Sequence, residues 1–155
     1  MSIQELSIKA ALQVGKTPEE VFEAIVDPAI MSNYFISEST GRMEAGKQLV
    51  WRFPEFDMNV PIRVGEIVKP SYISYYWGSS EPGVELLVEF AIAPYGNGHS
   101  VVTVTEKSMD NNEAGINWLK GNTEGWANFL ACLKAWLEYG VHLRRGAFEF
   151  RSHEK

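Results

Sequence analysis

The side chains able to do metal, nucleophilic or acid–base chemistry are few in this sequence, and their spacing suits none of these tasks. The three histidines, His99, His142 and His153, are scattered and do not combine with cysteine or carboxylate residues at the spacing of metal ligands. The one cysteine, Cys132, lies within an apolar helical pattern, so we interpret it as a small buried hydrophobic residue. The sequence contains no serine-elbow, phosphate-loop or dinucleotide motif. We therefore predict no catalytic residue, no metal site and no cofactor.

Acidic residues occur close together in the sequence, but these pairs have a structural explanation. Glu19 and Glu20 follow Thr17-Pro18, and they complete a helix capping box with a favourable acidic first turn. Glu85 and Glu89 alternate with apolar residues along a predicted strand, and we expect their carboxylates to be solvated. The sequence gives no support for a catalytic carboxylate pair.

A long C-terminal helix is predicted from Asn112 to Gly140, because apolar residues recur there three or four positions apart. The residues of this stripe are Leu119, Trp126, Phe129, Leu130, Leu133, Trp136 and Leu137. Asn111 or Asn112 can cap the start, and Gly140 fits a stop signal. At ~1.5 Å per residue the helix would be roughly 40 Å long. Such a stripe needs a large apolar partner, which the rest of the chain supplies as a sheet.

Gly121 and Gly125 lie inside this helix, where each costs about 1 kcal/mol relative to alanine. Two explanations are open. The glycines allow a bend or close packing on a strand. Alternatively, the thin backbone leaves room for a ligand beside Trp118 and Trp126.

The N-terminal part of the chain predicts one strand and two short helices. Residues Glu5 to Gln13 alternate between apolar and polar, as in a half-buried strand. The helix that begins at Thr17-Pro18 ends near Asp27-Pro28, and a second helical turn covers Ala29 to Asn33.

A run of strands follows, separated by glycine, proline and polar turn residues. The predicted strands are Phe35–Thr40, Gln48–Phe53, Met58–Lys69, Tyr72–Gly78, Val84–Pro94 and Ser100–Lys107. Short turns between consecutive strands imply antiparallel pairing. A run of strands followed by one helix predicts the α+β class, with the helix laid on one face of the sheet.

This order of elements and motifs resembles the START-like (SRPBCC) superfamily, and within it the family of heat-shock protein 90 ATPase activator homologues. The motifs that carry the resemblance are Thr17–Ala24, Asp27-Pro28, Tyr34-Phe35, Val64–Val68, Ile73–Trp77, Val101–Glu106 and Glu124-Gly125-Trp126, followed by Leu130, Leu133, Leu137 and Glu138. The resemblance covers residues 5 to 140. It implies a helix-grip fold, in which a curved antiparallel sheet of six or seven strands holds the long C-terminal helix.

The resemblance also implies a hydrophobic cavity between the sheet and the helix. Members of the superfamily bind lipids, sterols, plant hormones or polyketides, and a minority are enzymes. We predict that this cavity is lined by Trp51, Phe53, Arg63, Tyr75, Trp77, Phe90, Trp118, Trp126, Phe129, Leu130 and Leu133. For most of the aromatic residues, filling of the core is the alternative. Arg63 would be a ligand anchor if it points inward, because a buried charge needs a partner, and a surface residue otherwise.

The chain as a whole predicts a single domain, residues 1–155, with a core from about 5 to 140 and a tail from 141 to 155. The tail either packs loosely against its own domain or docks a partner. The net charge of −6 argues against nucleic-acid binding. The first residues lack a hydrophobic signal core and no apolar run reaches membrane-spanning length, so we expect a cytoplasmic protein without membrane insertion.

These observations predict a protein that binds a small, largely hydrophobic ligand such as a lipid, with no catalysis of its own. Two alternatives stay open. One is an enzyme of the same superfamily that acts on an aromatic or polyketide-like substrate. The other is a protein-interaction module, with a chaperone as its partner.

Overall fold

The computed structural model describes residues 4–153, and it shows a seven-stranded sheet with a long helix after its last strand. In chain order the elements are β1 (Glu5–Val14), α1 (Pro18–Val26), α2 (Pro28–Met31), β2 (Glu38–Ser39), β3 (Gln48–Phe53), β4 (Phe56–Val68), β5 (Tyr72–Gly78), β6 (Glu85–Tyr95), β7 (His99–Asp110), α3 (Glu113–Tyr139) and a 3₁₀ helix (Glu149–His153). The ends of the predicted domain, residues 1–3 and 154–155, lie outside the described residues.

The strands lie in the order β1-β7-β6-β5-β4-β3-β2, and all neighbouring pairs are antiparallel. The first strand of the chain therefore pairs with the last, and the five strands between them follow one another by short turns. Helices α1 and α2 fill the connection between β1 and β2. This confirms the predicted α+β helix-grip fold, with seven strands rather than six.

The helix ends are set by the residues that the sequence indicates. Thr17 Oγ1 accepts a hydrogen bond from the Glu20 backbone N–H at 3.3 Å, and Glu20 Oε1 accepts one from the Thr17 N–H at 3.4 Å. Asn112 Oδ1 accepts from the Gly115 N–H at 2.8 Å and caps α3. Gly140 ends α3 with a φ of 64°, a left-handed conformation that favours glycine. Both α1 and α3 thus begin at the predicted caps.

The predicted strand Phe35–Thr40 is wrong in its first half. The backbone N–H of Phe35 donates to Met31 O at 2.9 Å, so the helical turn of α2 continues to Phe35. Only Glu38–Ser39 pairs with β3. Because of this turn, the Phe35 ring lies against α3, with its centroid 4.8 Å from that of Phe129.

Helix α3 packs on one face of the sheet. Its buried apolar side chains are Trp118, Trp126, Phe129, Leu130, Cys132 and Leu133, whereas Leu119, Trp136 and Leu137 of the predicted stripe are half-buried. The Gly15 N–H donates to Glu138 Oε2 at 2.6 Å, and Lys134 Nζ donates to Gln13 O at 3.0 Å. These two contacts fix the C-terminal half of α3 to the end of β1.

Burial raises the pKa of the Cys132 thiol, in keeping with an inert core residue. Within residues 4–153, no three histidine, cysteine or acidic side chains come together in a group that could hold a metal ion. In the same part of the chain, no helix has the length and apolar character needed to cross a membrane.

Candidate functional site

A cleft of about 980 Å³ lies between α3, the β3–β4 hairpin, the end of β5 and the residues that follow α3. Its aromatic wall consists of Phe35, Phe53, Phe56, Trp77, Trp118, Trp126 and Phe148. Its charged and amide groups are Glu55, Asn59, Asn117, Asn122, Glu124, Asn128, Arg144 and Arg151. Apolar walls with a few polar groups, and a volume of roughly 300–1,000 Å³, are typical of small-molecule sites.

Gly121 and Gly125 of α3 face this cleft between Trp118 and Trp126. A Cβ atom added at either glycine would meet no other heavy atom within 4 Å, so neither glycine serves close packing on a strand. Close packing is thereby excluded as their role, and the space that the second explanation requires is present. The bare backbone of α3 leaves open space beside the two tryptophans.

Trp126 forms the floor of the cleft and connects it to the core. Its ring centroid lies 5.3 Å from that of Phe129, 5.8 Å from that of Phe90, and 5.9 Å from those of Phe35 and Trp77. Aromatic pairs at these separations add to the stability obtained from area burial. The floor is therefore held in place by packing from the sheet, the helix and the α2–β2 connection.

Glu106 on β7 is a fully buried carboxylate directly behind the cleft. Its Oε2 accepts a hydrogen bond from Trp77 Nε1 at 2.7 Å, and its Oε1 accepts from Trp126 Nε1 at 3.0 Å and from Asn122 Nδ2 at 2.9 Å. All three donors belong to side chains that line the cleft. Glu106 thus joins the sheet to α3 and holds three parts of the cleft wall in a defined orientation.

Two buried polar atoms near the cleft have no hydrogen-bond partner among residues 4–153. They are Nε1 of Trp118, in the cleft wall, and the hydroxyl of Tyr75, beneath it. Burial raises the pKa of Tyr75 well above its usual value, and the negative charge of Glu106 adds to this effect. Tyr75 therefore stays a neutral phenol and offers no base to the cleft.

The C-terminal segment, residues 141–153, closes one side of the cleft. Arg144 donates to both oxygens of Glu55 at 2.7 and 3.1 Å, and the two side chains are only 13% and 4% exposed. The Arg144 guanidinium lies 5.0 Å from the ring centroid of Phe148, and Arg151 pairs with Glu124 of α3. The segment packs on its own chain, which is one of the two predicted roles, and it supplies part of the wall.

The structure divides the predicted site residues into two layers. Phe53, Trp77, Trp118 and Trp126 line the cleft. The residues that lie beneath it, buried in the core, are Trp51, Tyr75, Phe90, Phe129, Leu130 and Leu133. The second layer supports the first, so these side chains act on the cleft through packing.

Arg63 lies outside the cleft, and its prediction as a cavity residue is wrong. Its neighbours in β4, Ile62 and Val64, are buried, so alternation turns Arg63 to the opposite, outer face of the sheet. There its guanidinium pairs with Glu85 Oε1 at 2.6 Å and lies 4.2 Å from the ring centroid of Tyr76.

The sequence analysis missed Glu106 and the C-terminal segment as parts of the site. Glu106 could have been found, because Val102 and Val104 alternate inward along β7 and Glu106 is next on the same face. No local pattern indicates the pairing of Arg144 with Glu55, which are 89 residues apart.

A sheet of this topology that holds a long C-terminal helix, with an aromatic cleft between the two, defines a START-like protein of the helix-grip type. Residues 16–138 match the family described as activator of Hsp90 ATPase homolog 1-like protein, and the chain belongs to this family. The match itself assigns no ligand or partner to this chain.

Solved structures share this fold. The crystal structure of protein SSP2350 from Staphylococcus saprophyticus is 32% identical, covers 90% of this chain and 96% of its own, and superposes with a TM-score of 0.78. The Aha1 dimer from Colwellia psychrerythraea is 17% identical over 87% of this chain and 98% of its own, with a TM-score of 0.74. No curated protein gave a match.

A third similar structure is DynU16, described as a putative protein in the dynemicin biosynthetic locus. It is 21% identical over 86% of this chain and 48% of its own length, with a TM-score of 0.74. At this identity the likeness, like that to the Aha1 dimer, shows the fold alone.

Proposed function

We propose that the protein binds a small, largely hydrophobic molecule in the cleft between the sheet and α3, and does no chemistry on it. The observation that carries this proposal is the cleft of about 980 Å³ with an aromatic wall. Gly121 and Gly125 keep it open although alanine would stabilise the helix there. Ligand binding in this space would explain why α3 has two glycines there, although glycine is unfavourable inside a helix.

The cleft residues fit binding better than catalysis. Glu106 faces inward, but its oxygens are held by two indole N–H groups and an amide, and no part of it is exposed. Glu55 and Glu124 are each paired with an arginine. A general acid or base must reach the atom that it protonates or deprotonates. The superfamily alternative, an enzyme for an aromatic or polyketide-like substrate, therefore ranks second.

The proposal keeps the remaining expectations from the sequence. These are a single domain over residues 1–155, a cytoplasmic location, a lipid or other lipophilic ligand, and no cofactor. A protein partner such as a chaperone is the other alternative, and it would use an exposed surface rather than the cleft.

The test is native mass spectrometry of the purified protein, followed by extraction and identification of any bound small molecule. A parallel titration uses N-phenyl-1-naphthylamine, a neutral hydrophobic fluorescent probe. Gly121→Leu places a side chain into the cleft, and Ala127→Leu places the same side chain on an exposed position of α3 outside it. We expect Gly121→Leu to lose the bound molecule and the probe, and Ala127→Leu to keep both. Absence of any ligand, together with equal probe binding by both variants, would refute the proposal.

A further inference from the structure

We propose that the ligand carries an organic cation, such as an ammonium group, on its hydrophobic body, and that the Trp77–Trp126 wall in front of Glu106 is the subsite for this cation. The inference rests on the proposed function, because it names the chemistry of the ligand for the same cleft. Three points support it: the balance of charge around the cleft, the hydrogen bonds that the two indoles donate to Glu106, and the arginine–aromatic contacts of residues 4–153, which leave out both tryptophans.

The charges around the cleft leave one negative charge without a cationic partner. Arg144 pairs with Glu55, and Arg151 pairs with Glu124, so the charged residues of the wall form two neutral pairs. Glu106 adds a carboxylate that accepts hydrogen bonds from three neutral donors, two indole N–H groups and an amide. Within residues 4–153, no lysine or arginine forms a salt bridge with it.

A buried carboxylate without a cation is costly, and neutral hydrogen bonds offset this cost only in part. A cation bound in the cleft would be separated from Glu106 by a single layer of side chains, those of Trp77, Trp126 and Asn122. Charges interact strongly across such a layer, because the protein interior screens them much less than water does. The cleft therefore favours a positive ligand over a neutral or negative one.

The two indoles that separate the cleft from Glu106 are suited to a cation. Trp77 and Trp126 lie with their ring centroids 5.9 Å apart and their planes tilted by 32°, and both donate their N–H to the carboxylate. Tryptophan is the best aromatic partner for a cation, and sets of aromatic rings recognise quaternary ammonium groups. Hydrogen bonding to an anion polarises the donor, so electron density at the faces of these rings increases.

The rings of Trp77 and Trp126 carry no basic side chain from residues 4–153. In the described part of the chain, the arginines that lie over aromatic rings contact Phe35, Phe53, Tyr76, Phe148 and Phe150, and none lies over a tryptophan. Arg144 already holds a cation against Phe35 and Phe53 in the same cleft, and the Phe35 ring lies 5.9 Å from that of Trp126. Trp77 and Trp126 line the same cleft, so a cation on a bound ligand would make the same kind of contact with their rings.

The test compares two probes of the same shape and different charge, each displacing N-phenyl-1-naphthylamine. One is (2-phenylethyl)trimethylammonium. The other is (3,3-dimethylbutyl)benzene, which has carbon in place of the charged nitrogen. We expect the wild-type protein to bind the cation about tenfold more tightly, which corresponds to about 1.4 kcal/mol. Glu106→Gln should abolish most of this preference, measured as the ratio of the two affinities within the variant, because the substitution removes the charge from this position.

The matched control is Glu66→Gln, which removes the same charge from an exposed position on β4. It should keep the tenfold preference. Equal affinity of the two probes for the wild-type protein would overturn the inference, and so would an equal loss of cation binding in both variants. This wild-type comparison decides the matter even if Glu106→Gln does not fold. Failure of the naphthylamine probe itself to bind would instead count against the proposed function.

Discussion

Replacement of Gly121 and Gly125 by alanine should make the protein more stable and worse at binding. Both residues lie in the interior of α3, where glycine costs about 1 kcal/mol relative to alanine. The added Cβ atoms would meet no heavy atom within 4 Å, so no clash offsets the gain. The double variant should therefore be stabilised by about 2 kcal/mol, or a rise in Tm of roughly 4–8 °C for a chain of this size.

The same two substitutions should weaken ligand binding. Both Cβ atoms would extend into the cleft between Trp118 and Trp126, and would occupy space that the proposed ligand needs. Urea denaturation measures the free energy of unfolding, and a titration with N-phenyl-1-naphthylamine measures binding. We expect stability to rise while affinity falls.

Two control variants in α3 should lower the stability of the protein rather than raise it. Gly115→Ala lies in the same helix, but its Cβ would come within 1.9 Å of Asp110 O, so it should destabilise the protein. Ala127→Gly, at an exposed position outside the cleft, should lose about 1 kcal/mol and bind normally. If the alanine variants at 121 and 125 lower stability, or raise it and leave binding unchanged, our account of the two glycines is incorrect.

Three further changes have defined outcomes. Trp126→Ala should lower the free energy of unfolding by about 3–5 kcal/mol in urea, because it removes a buried ring from the centre of the aromatic core. Arg144→Ala leaves the buried carboxylate of Glu55 without its cation, so amide hydrogen exchange in the C-terminal segment should accelerate. Two hydrogen bonds lower the pKa of Glu138, and the one from Lys134 has a larger effect than the one from a backbone N–H. Its contribution to stability is present above the usual glutamate pKa of about 4.3 and is lost as the pH falls through the lower pKa of the folded protein.

Each of these three predictions has its own control. Trp126→Phe keeps most of the buried ring and should cost less than Trp126→Ala; an equal cost would contradict the packing argument. Arg145→Ala, at an exposed neighbouring position, should leave hydrogen exchange unchanged. Stability curves of the wild-type protein and Glu138→Gln, measured from pH 7 to pH 3, should converge as the pH falls. Parallel curves would show that the carboxylate contributes nothing.

Local signals made most of the fold predictable. The strands Gln48–Phe53 and Tyr72–Gly78 were predicted with their observed bounds, because turn residues enclose both. The caps Thr17 and Asn112 were visible because capping depends on residues only three positions apart. The strand at Phe35 was overextended, since a helical turn and a strand start look alike in a short apolar run.

The candidate site was less predictable, because it depends on which face of the sheet is covered. Alternation placed Arg63 and Val64 on opposite faces, but only the packing of α3 shows that Val64 is the inner one. Contacts between distant parts of the chain, such as that of Arg144 with Glu55, produce no recognisable pattern in the sequence. The Arg144–Glu55 pair of the cleft wall was therefore out of reach of pattern reasoning, whereas the inward position of Glu106 follows from the alternation along β7.

The C-terminal segment has a consequence for how such proteins diverge. It contributes Arg144 and Phe148 to the cleft, yet it follows the residues, 16–138, that match the family. Under the proposed function, mutations in this segment would change the lining of the cleft while the residues that match the family stay the same. Exchange of this segment between relatives would then be a direct way to transfer ligand preference.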